Sequence, residues 1–561
     1  MAHPVINLVT TVARWRQMAF TGKLNQVATI QANFLRALMQ FHQDTELGRE
    51  LNLAEIKTVD QFRQQIPRSS YSQYEPYFER AASGEMNVVT PEPMIYMNLS
   101  SGSTGKQKLV PITRRSQRKR AYANQVALGF AAAAARRRKI SLGKMLITTC
   151  AKPIGQTSGG IVYGHVSSNQ LRSSHSWVVQ AIYAQPLEAL FLTDTLARNY
   201  ISLLFALRNR DLSILSGIFP VILLQLCIYL EKYAEALIDD LGRGEIADWL
   251  TLETELREKL QRLFAAEPER AKQLGQIRQS EGRLLPKFVW PNLALLLTAR
   301  GGPSDFYFEK FPEYFGDLPI FGGTYAASEA VIGSHRDFNT DGVVLAVESN
   351  FFEFIPADQW DQANPNTLLP HEVKVGDFYR ILVTNYSGFY RYDIGDVVEV
   401  VGFYEQAPLI TFRYRQGGAL SAITEKTTEY HAIQVMTALQ EAHSLTIEDF
   451  CITVSGDLIA PFYVLNIEFP THETLEQPEC LLIHFDQMLQ AVNTSYALKR
   501  AKNDIAPPQI YVLKPGSFAV LRQQKLDQGA PEAAQAKLPH ISSDRNFLKE
   551  AEIIQHIKAT F

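Results

Sequence analysis

A glycine- and serine-rich segment near residue 100 places the strongest constraint on how this chain can fold. The segment LSSGSTGKQK runs from Leu99 to Lys108 and follows a short apolar stretch that predicts a β-strand. Glycine lets the backbone approach a ligand closely, and successive N–H groups can enclose an anion, while Lys106 or Lys108 would balance phosphate charge. The pattern predicts a phosphate-binding loop, with a flexible surface loop as the alternative. Four hydroxyl side chains add hydrogen-bond donors: Ser100, Ser101, Ser103 and Thr104.

The size and charge of the chain favour a two-domain protein that acts on small molecules. Its 561 residues exceed the roughly 250–300 residues at which single cores stop growing. The net charge of −3 comes from 55 basic and 58 acidic residues, so no global field favours nucleic acid or an anionic membrane. Two basic runs, at 114–120 and 135–139, are expected to be solvated faces of a helix.

The cysteines and the N-terminus indicate a cytoplasmic protein, which we expect to be a monomer. The first twenty residues lack the continuous apolar core of a signal peptide and predict an amphipathic helix. The cysteines form no CxxC pair, which argues against a zinc site or a disulfide framework. They lie far apart, at Cys150, Cys227, Cys451 and Cys480.

The longest apolar run, Ile214 to Leu230, is 17 residues long and contains Gly217 and Pro220. It falls short of the roughly 20 residues that a membrane span needs. We therefore predict a buried helix over this run.

The order of periodic patterns predicts a mixed α/β chain. Residues 1–85 are helical in pattern, and Thr113 is the expected N-cap of a helix that runs through Arg138. A dense β region precedes the small-residue stretch at 416–422, and the order α, β, β, α, β follows it. This order predicts a large α/β domain, a flexible hinge and a small α+β lid.

A second motif, GGTYAASEAVIG from Gly322 to Gly333, follows another strand-like run. Thr324 and Tyr325 could hold and stack on a purine, and Glu329 could bind Mg²⁺, which prefers oxygen ligands. The alternative is a strand-to-helix turn in which Ser328 or Glu329 caps a helix.

A third motif, YSGFYRYDIGDVVEV, places Asp396 between a glycine and a β-branched segment. A carboxylate has two acceptor oxygens and suits the vicinal hydroxyls of a ribose, while a hairpin-turn aspartate is the alternative. The nearby charges could form an ordinary surface ion-pair cluster: Arg391, Asp393, Arg413 and Arg415.

The hydroxyl-rich loop, the TYxxSE turn and the YRYxxGD hairpin, in this order and spacing, resemble the adenylate-forming superfamily of acyl-CoA synthetases and their relatives. Within it the chain resembles the plant auxin-responsive Gretchen Hagen family of acyl acid amido synthetases, and we expect a bacterial relative. Further matches are LLPKFVWPNL, LSAITEKTTE and GAPEAAQAKLPH, so the resemblance covers nearly the whole chain.

The resemblance implies an adenylate-forming (firefly luciferase-like) fold, with ATP and Mg²⁺ as cofactors. The large N-terminal adenylation domain would span 1–415, the hinge 416–422, and the α+β C-terminal lid 423–561. The implied ATP-binding residues are Ser100, Ser101, Ser103, Thr104 and Lys108 at the phosphates, Thr324 and Tyr325 at the adenine, and Asp396 at the ribose.

The remaining implied positions are cations and a metal ligand. Glu329 would meet Mg²⁺, and Arg413 or Arg415 matches a basic position ahead of the hinge. Lys426 matches the lysine after the hinge, and Lys537 matches the lid lysine that would act catalytically with Glu329. The plant pattern has Arg where this chain has His540.

The implied reaction is adenylation of a small carboxylic acid, followed by transfer of the acyl group to an amine, which we expect to be an amino acid. One alternative is an acyl-CoA ligase, which shares the activation step. A second is an inactive nucleotide- or metabolite-binding protein. The acyl pocket is expected near Tyr122, Gln125, Tyr163 and His165.

Overall fold

Helices and strands alternate along most of the chain, in agreement with the predicted mixed α/β class. The structure is a computed structural model that describes residues 4–99, 108–172, 176–360, 362, 364–415, 418–422, 425–457, 461–470, 475, 477–501, 505–527, 538–544 and 547–558. The helices are α1 Pro4–Thr21, α2 Val27–His42, α3 Glu46–Glu50, α4 Val59–Gln65, α5 Tyr71–Ala82, α6 Arg114–Arg137, α7 Val166–Arg172, α8 Ser176–Ile182, α9 Thr195–Leu207, α10 Pro220–Lys232, α11 Ala234–Arg243, α12 Thr254–Leu263, α13 Pro268–Glu281, α14 Pro286–Val289, α15 Phe311–Phe315, α16 Glu429–His443, α17 Pro478–Val492, α18 Thr494–Ala501 and α19 Ser517–Asp527.

The strands are short in the first half of the chain and longer in the second. They are β1 Tyr96–Leu99, β2 Leu109–Ile112, β3 Lys144–Ile147, β4 Gly155–Gln156, β5 Val162–Gly164, β6 Leu212–Ser216, β7 Leu295–Leu297, β8 Ile320–Phe321, β9 Thr324–Ala326, β10 Val331–His335, β11 Val343–Leu345, β12 Phe351–Pro356, β13 Phe378–Thr384, β14 Tyr392–Tyr404, β15 Ala407–Arg415, β16 Ala419–Leu420, β17 Thr427–Thr428, β18 Asp449–Val454, β19 Tyr463–Glu468, β20 Gln509–Leu513, β21 Ile541–Ser542 and β22 Ile553–Ile557.

The chain forms two compact units. Unit 1 consists of Met1–Ile394 and Val398–Phe412, and unit 2 consists of Gly395–Val397 and Arg413–Phe561. Each unit has its own sheets and its own buried core, as expected for a chain of this length.

Three sheets form the framework of unit 1. The first has the order β2-β1-β5-β4, and the second has the order β12-β13-β14-β15-β11-β10-β9. The third, β3-β6-β7-β8, is parallel throughout. Its strands are connected by helices that bury apolar faces, as parallel sheets require.

The long helix α6 begins and ends where the sequence predicts. The Thr113 hydroxyl accepts a hydrogen bond from the Ser116 backbone N–H, and Ser116 reciprocates in a capping box. A Cβ at Gly129 would lie 2.3 Å from the Ala13 carbonyl oxygen, so glycine permits α1 to pack closely against α6.

The predicted helix over Ile214 to Leu230 is correct only in its second half. Residues Leu212–Ser216 form β6, and α10 begins at Pro220, because Gly217 and the fixed φ of proline separate the strand from the helix. Within the described part of the chain, every helix is too short or too polar to cross a membrane.

Unit 2 has a five-stranded sheet of order β21-β18-β19-β20-β22. Strands β18 and β19 are antiparallel along their whole length, and β20 runs parallel to β19 after α17 and α18. The predicted order α, β, β, α, β is found over residues 429–513, except that two helices, α17 and α18, replace the single helix before the last strand.

The arginine of the YRYD segment is buried and forms a network inside unit 1. The Nε of Arg391 lies 3.1 Å from each carboxylate oxygen of Glu353, and its NH1 group donates to the carbonyls of Arg63 and Ile66 at 2.8 and 2.7 Å. Asp393 is paired with Arg380. The alternative of a surface ion-pair cluster is wrong for Arg391 and Asp393, since both side chains are at most 10% exposed.

We expect Arg391→Met to lower the free energy of unfolding of unit 1 by about 3–5 kcal/mol, because the buried Glu353 loses its closest cation and keeps only Arg63, at 3.9 Å. Urea unfolding measures this loss. Arg283→Met is the matched control, since Arg283 pairs with Glu231 at 2.6 Å with 43% of its side chain exposed. The control should cost about 0–1 kcal/mol, and equal losses in both variants would contradict the assignment.

Three buried histidines make the stability of unit 1 depend on pH, and burial lowers the pKa of one of them, His165, to about 4. Burial, followed by the nearby Arg115, lowers the pKa of His42 to about 3, and burial lowers the pKa of His335 to about 4. As the pH falls below about 6.5, the unfolded chain takes up protons at these histidines that the folded chain does not.

Stability should therefore fall by up to roughly 1.4 kcal/mol per pH unit for each histidine between pH 6.5 and 5. Urea unfolding across this range measures the slope, which His42→Gln should reduce. His371→Gln alters an exposed histidine and should leave the slope as in the wild type. A flat wild-type profile would refute the prediction.

Candidate active site

The predicted phosphate loop joins two paired strands. Strands β1 and β2 are antiparallel, with Leu99 opposite Leu109. The strand before the loop and the apolar segment after it are therefore as predicted. The loop residues Ser100, Ser101, Ser103, Thr104 and Lys106 lie outside the described residues.

The end of the loop is held by a tyrosine from α5. The Tyr71 hydroxyl donates to the Leu109 carbonyl at 3.0 Å and accepts from the Leu109 N–H at 2.9 Å. Burial raises the pKa of Tyr71 to about 12, so the hydroxyl stays a donor at neutral pH. The Nζ of Lys108 lies 5.2 Å from the centre of the Tyr71 ring, which orients this lysine at the end of the loop.

A buried asparagine connects the loop strand to the second motif. Asn98 is fully buried, and its Nδ2 donates to the Ser328 carbonyl at 3.2 Å. Its Oδ1 is buried and accepts no hydrogen bond from the described residues. Buried acceptors are usually satisfied, so we expect the donor for this oxygen to come from outside the described residues.

The second motif is a hairpin. Strands β9 and β10 pair in antiparallel fashion around residues 327–330, and a Cβ at Gly322 would lie 2.2 Å from the His335 ring. The alternative in which Ser328 or Glu329 caps a helix is wrong, because β10 follows this turn. The close packing at Gly322 explains why glycine precedes the hairpin.

Glu329 lies in this turn and is 7% exposed. Its carboxylate accepts hydrogen bonds from the Ser328 hydroxyl at 2.9 Å and the Tyr392 hydroxyl at 3.3 Å. Among the described residues no cation lies within ion-pair distance of this carboxylate, and the nearby charge of Arg120 acts on it without a direct contact. A buried charge of this kind is costly without a compensating cation.

Arg120 of α6 supports the same turn from the other side. Its guanidinium donates to the carbonyls of Ala327 and Ser328. Burial lowers the pKa of Arg120 to about 10, opposed by the charge of Glu329, so the group remains positive at neutral pH. It lies on the basic run expected to be solvated, and Arg114, Arg115 and Arg118 of that run are exposed as predicted.

The residues predicted to contact a purine lie on β9. Thr324 and Tyr325 are half-buried, and the Tyr325 ring packs 5.7 Å from the Phe412 ring at an angle of 60°. An aromatic pair of this kind offers an apolar surface for a base.

The third motif approaches the second through two side chains of unit 1. Tyr392 donates to Glu329, and the Asn385 Nδ2 donates to the Glu329 carbonyl at 3.1 Å and to Asn350 at 3.2 Å. The structure thus brings the loop strand, the TYxxSE turn and the start of the YRYxxGD segment together in unit 1.

Asp396, Arg413 and Lys426 belong to unit 2. Asp396 is 2% exposed within β14, and the Nε of Arg415 donates to its Oδ1 at 2.6 Å. The alternative of a hairpin-turn aspartate is therefore wrong. The Arg413 guanidinium lies 5.3 Å from the Tyr430 ring centre, and Lys426 is exposed. Lys537 lies outside the described residues.

His540, which replaces an arginine of the plant pattern, is fully buried. Its backbone N–H and its Nδ1 each lie 3.1 Å from the Glu429 Oε1, and its ring stacks on Phe450 at 4.6 Å. His540 therefore fixes the start of the segment that follows Lys537 onto the sheet of unit 2.

The residues expected near the acyl pocket separate into two places. Tyr163 is on β5, which pairs with β1, and the Tyr96 hydroxyl donates to the His165 carbonyl at 3.4 Å. Tyr122 instead donates to Glu348 at 2.7 Å in a cavity of about 460 Å³, and Gln125 is exposed. Tyr163 and His165 therefore remain beside the phosphate-loop strand.

Sequence reasoning missed Asn98, Arg120 and Tyr392 as site residues. An asparagine inside the buried strand YMNL is a signal that could have been used, because a buried amide needs a specific partner. Arg120 belongs to a basic run that was expected to be solvated. Its hydrogen bonds to the β9–β10 turn depend on which face of α6 packs against that turn, and the sequence does not show this.

Comparison with known proteins covers almost the whole chain. The GH3 family N-terminal domain matches residues 16–320, the central domain matches 343–415, and the C-terminal domain matches 430–546. The 4-substituted benzoates-glutamate ligase GH3.12 of Arabidopsis thaliana is 26% identical over 543 residues, which cover 92% of this chain and 93% of that protein.

Two solved structures share the fold. The AtGH3.15 acyl acid amido synthetase in complex with 2,4-DB matches with a TM-score of 0.85 and 26% identity over 96% of each chain. The 2-hydroxyisobutyryl-CoA ligase in complex with R3-HIB-AMP matches with a TM-score of 0.51 and 12% identity over 95% of this chain and 90% of that one, a likeness of fold alone.

These matches confirm the predicted adenylate-forming fold and the resemblance to the plant auxin-responsive family. The expected bacterial source stays a prediction. Since the N-terminal family domain alone accounts for more than half of the residues, the chain belongs to the GH3 family.

Proposed function

We propose that this chain is an ATP-dependent ligase that activates a small carboxylic acid as an acyl adenylate and joins it to an amino acid. The observation that carries the proposal is the convergence of three residues in unit 1: Asn98, which lies just before the first motif, Glu329 of the second motif and Tyr392 of the third. The acyl acid amido synthetase to which the chain is similar along 96% of its length supports the same reaction class.

The reaction has two balanced steps. A carboxylate oxygen of the acid attacks the α-phosphorus of ATP, and the bond between the α-phosphorus and the bridging oxygen breaks to release pyrophosphate. The amino group then attacks the acyl carbon, AMP leaves with the oxygen of the acyl–phosphate bond, and the amine loses a proton to water. Alignment and charge balance dominate catalysis of such phosphate chemistry.

The residues of unit 1 suit the first step. Ser100, Ser101, Ser103, Thr104 and Lys108 would bind the ATP phosphates, and Thr324 with Tyr325 would hold the adenine. The Ser328 and Tyr392 hydroxyls hold the Glu329 carboxylate in one orientation and leave lone pairs for a further partner.

The donor set fits a magnesium ion at Glu329. The carboxylate is buried without an ion-pair partner among the described residues, and Mg²⁺ prefers such oxygen ligands. When bound there, the ion would neutralise part of the negative charge that develops on the phosphate oxygens during adenylation.

The proposal extends to four residues of the second half of the chain. Asp396 would accept hydrogen bonds from the ribose hydroxyls, Arg413 and Lys426 would add positive charge, and Lys537 would act catalytically as the lid lysine.

We propose that residues 1–415 form the adenylation domain, that 416–422 act as a hinge, and that 423–561 form a lid that changes position between the two steps. A monomer in the cytoplasm is part of this proposal.

The acid and the acceptor are tested together by product identification. The protein is incubated with Mg²⁺, ATP, a panel of benzoic, indole-acetic and fatty acids, and either the amino acids or coenzyme A, and the products are identified by mass spectrometry. An amide with AMP release is the expected result. A thioester would identify an acyl-CoA ligase, and bound ATP without any product would favour an inactive binding protein.

Glu329→Gln should raise the Mg²⁺ concentration that gives half-maximal activity by about tenfold or more, because a neutral amide binds the ion weakly. The measurement is pyrophosphate release at saturating ATP and acid. Tyr392→Phe serves as the control, since it removes a hydrogen bond to Glu329 but keeps the carboxylate. Its Mg²⁺ concentration for half-maximal activity should stay within a few-fold of the wild-type value. An unchanged magnesium response in Glu329→Gln would reject this ligand.

Asp396→Ala should raise the KM for ATP by at least about tenfold, as expected when hydrogen bonds to a substrate hydroxyl are lost. Arg415→Gln breaks the same ion pair but leaves the carboxylate. If Asp396 binds the ribose, the KM for ATP rises much more in Asp396→Ala than in Arg415→Gln. If the pair is purely structural, both variants lower the melting temperature alike and the KM stays at the wild-type value.

A further inference from the structure

Three side chains of the types that bind metals lie together in unit 2, and none of them is among the residues assigned above. His443 is the last residue of α16, and Cys480 and His484 lie one turn apart on α17. The Nε2 of His443 is 2.9 Å from the Nδ1 of His484, and the Sγ of Cys480 is 3.9 Å from the Nε2 of His484. One ligand atom from each residue lies within 4.8 Å of the other two.

The two short contacts are made to the two different ring nitrogens of His484, so a shared ion would use one of these nitrogens together with His443 and Cys480. Ligands at about 2.0–2.3 Å from a tetrahedral Zn²⁺ lie roughly 3.3–3.8 Å apart. The three ligand atoms, which lie within 4.8 Å of one another, would close to that spacing around the ion.

The chemistry and exposure of the cluster also suit a transition metal. Thiolate and imidazole are the ligands that Zn²⁺ prefers, and all three residues are half-buried, so an ion and a fourth ligand from solvent can enter. The other three cysteines are buried. The sequence search for a CxxC pair missed this cluster because its ligands come from two helices that pack against each other.

We propose that His443, Cys480 and His484 form a zinc-binding site that joins α16 to α17 in the C-terminal unit. The site is structural and independent of the proposed ligase reaction. Binding to the folded chain stabilises it by mass action, so zinc should raise the melting temperature of unit 2.

The test uses the full-length protein, freed of metal by a chelator and titrated with Co²⁺ at about pH 7.5, above the usual histidine pKa of ~6.5. We expect one Co²⁺ per chain with a thiolate-to-cobalt charge-transfer band that Zn²⁺ abolishes. Cys480→Ser and His484→Gln should remove the band and weaken zinc binding by at least about 100-fold. His556→Gln, which alters an exposed histidine of the same unit, should retain both.

A second measurement on the wild type does not depend on how the variants fold. Zn²⁺ should slow alkylation of Cys480 by at least about tenfold if the thiolate is a ligand. The proposal is overturned if the wild type shows no thiolate band, if Zn²⁺ does not protect Cys480, or if folded Cys480→Ser binds zinc as tightly as the wild type. In those cases the contact between His443 and His484 is an ordinary hydrogen bond.

Discussion

The buried guanidinium of Arg391 holds together parts of unit 1 that are far apart in sequence. It donates to the carbonyls of Arg63 and Ile66 at the end of α4 and pairs with Glu353 on β12. Breaking a buried pair of this kind leaves an uncompensated charge, so the backbone at Arg391 has little freedom to shift. The next residue, Tyr392, is thereby fixed where its hydroxyl reaches Glu329.

From Glu329 the constraint extends to β1, the strand before the predicted phosphate loop. Ser328 precedes Glu329 in the hairpin turn, and its carbonyl accepts hydrogen bonds from both Asn98 and Arg120. Asn98 lies on β1, immediately before the loop. A buried, hydrogen-bonded network of this kind fixes its polar groups in advance, which in the proposed reaction would reduce the reorganisation that a charged transition state requires.

The sequence was informative wherever one residue type has few physical uses. Glycine, serine and threonine beside a strand indicated the loop, and the capping residue Thr113 marked the start of α6. It was less informative about burial. One of the two interpretations of Arg391 placed it in a surface ion-pair cluster. The sequence does not show that Glu353 and two backbone carbonyls surround this arginine in the folded chain.

The other features that the sequence did not predict also depend on tertiary contacts. The apolar run after Ile214 contains a strand and a helix, and hydrophobicity alone does not distinguish two buried elements that follow each other. Asn98 gained its role through a partner in a hairpin more than two hundred residues away. His443, Cys480 and His484 are brought together only by the packing of α16 against α17.

The central claim is that the chain activates a carboxylic acid as an adenylate where the three motifs meet. Isotope exchange tests this step in isolation, since labelled pyrophosphate is incorporated into ATP only when adenylation is reversible at the site. The account predicts exchange that requires Mg²⁺ and one class of carboxylic acid and that needs no amino acid. Absence of acid-dependent exchange, in protein that binds ATP, would contradict it.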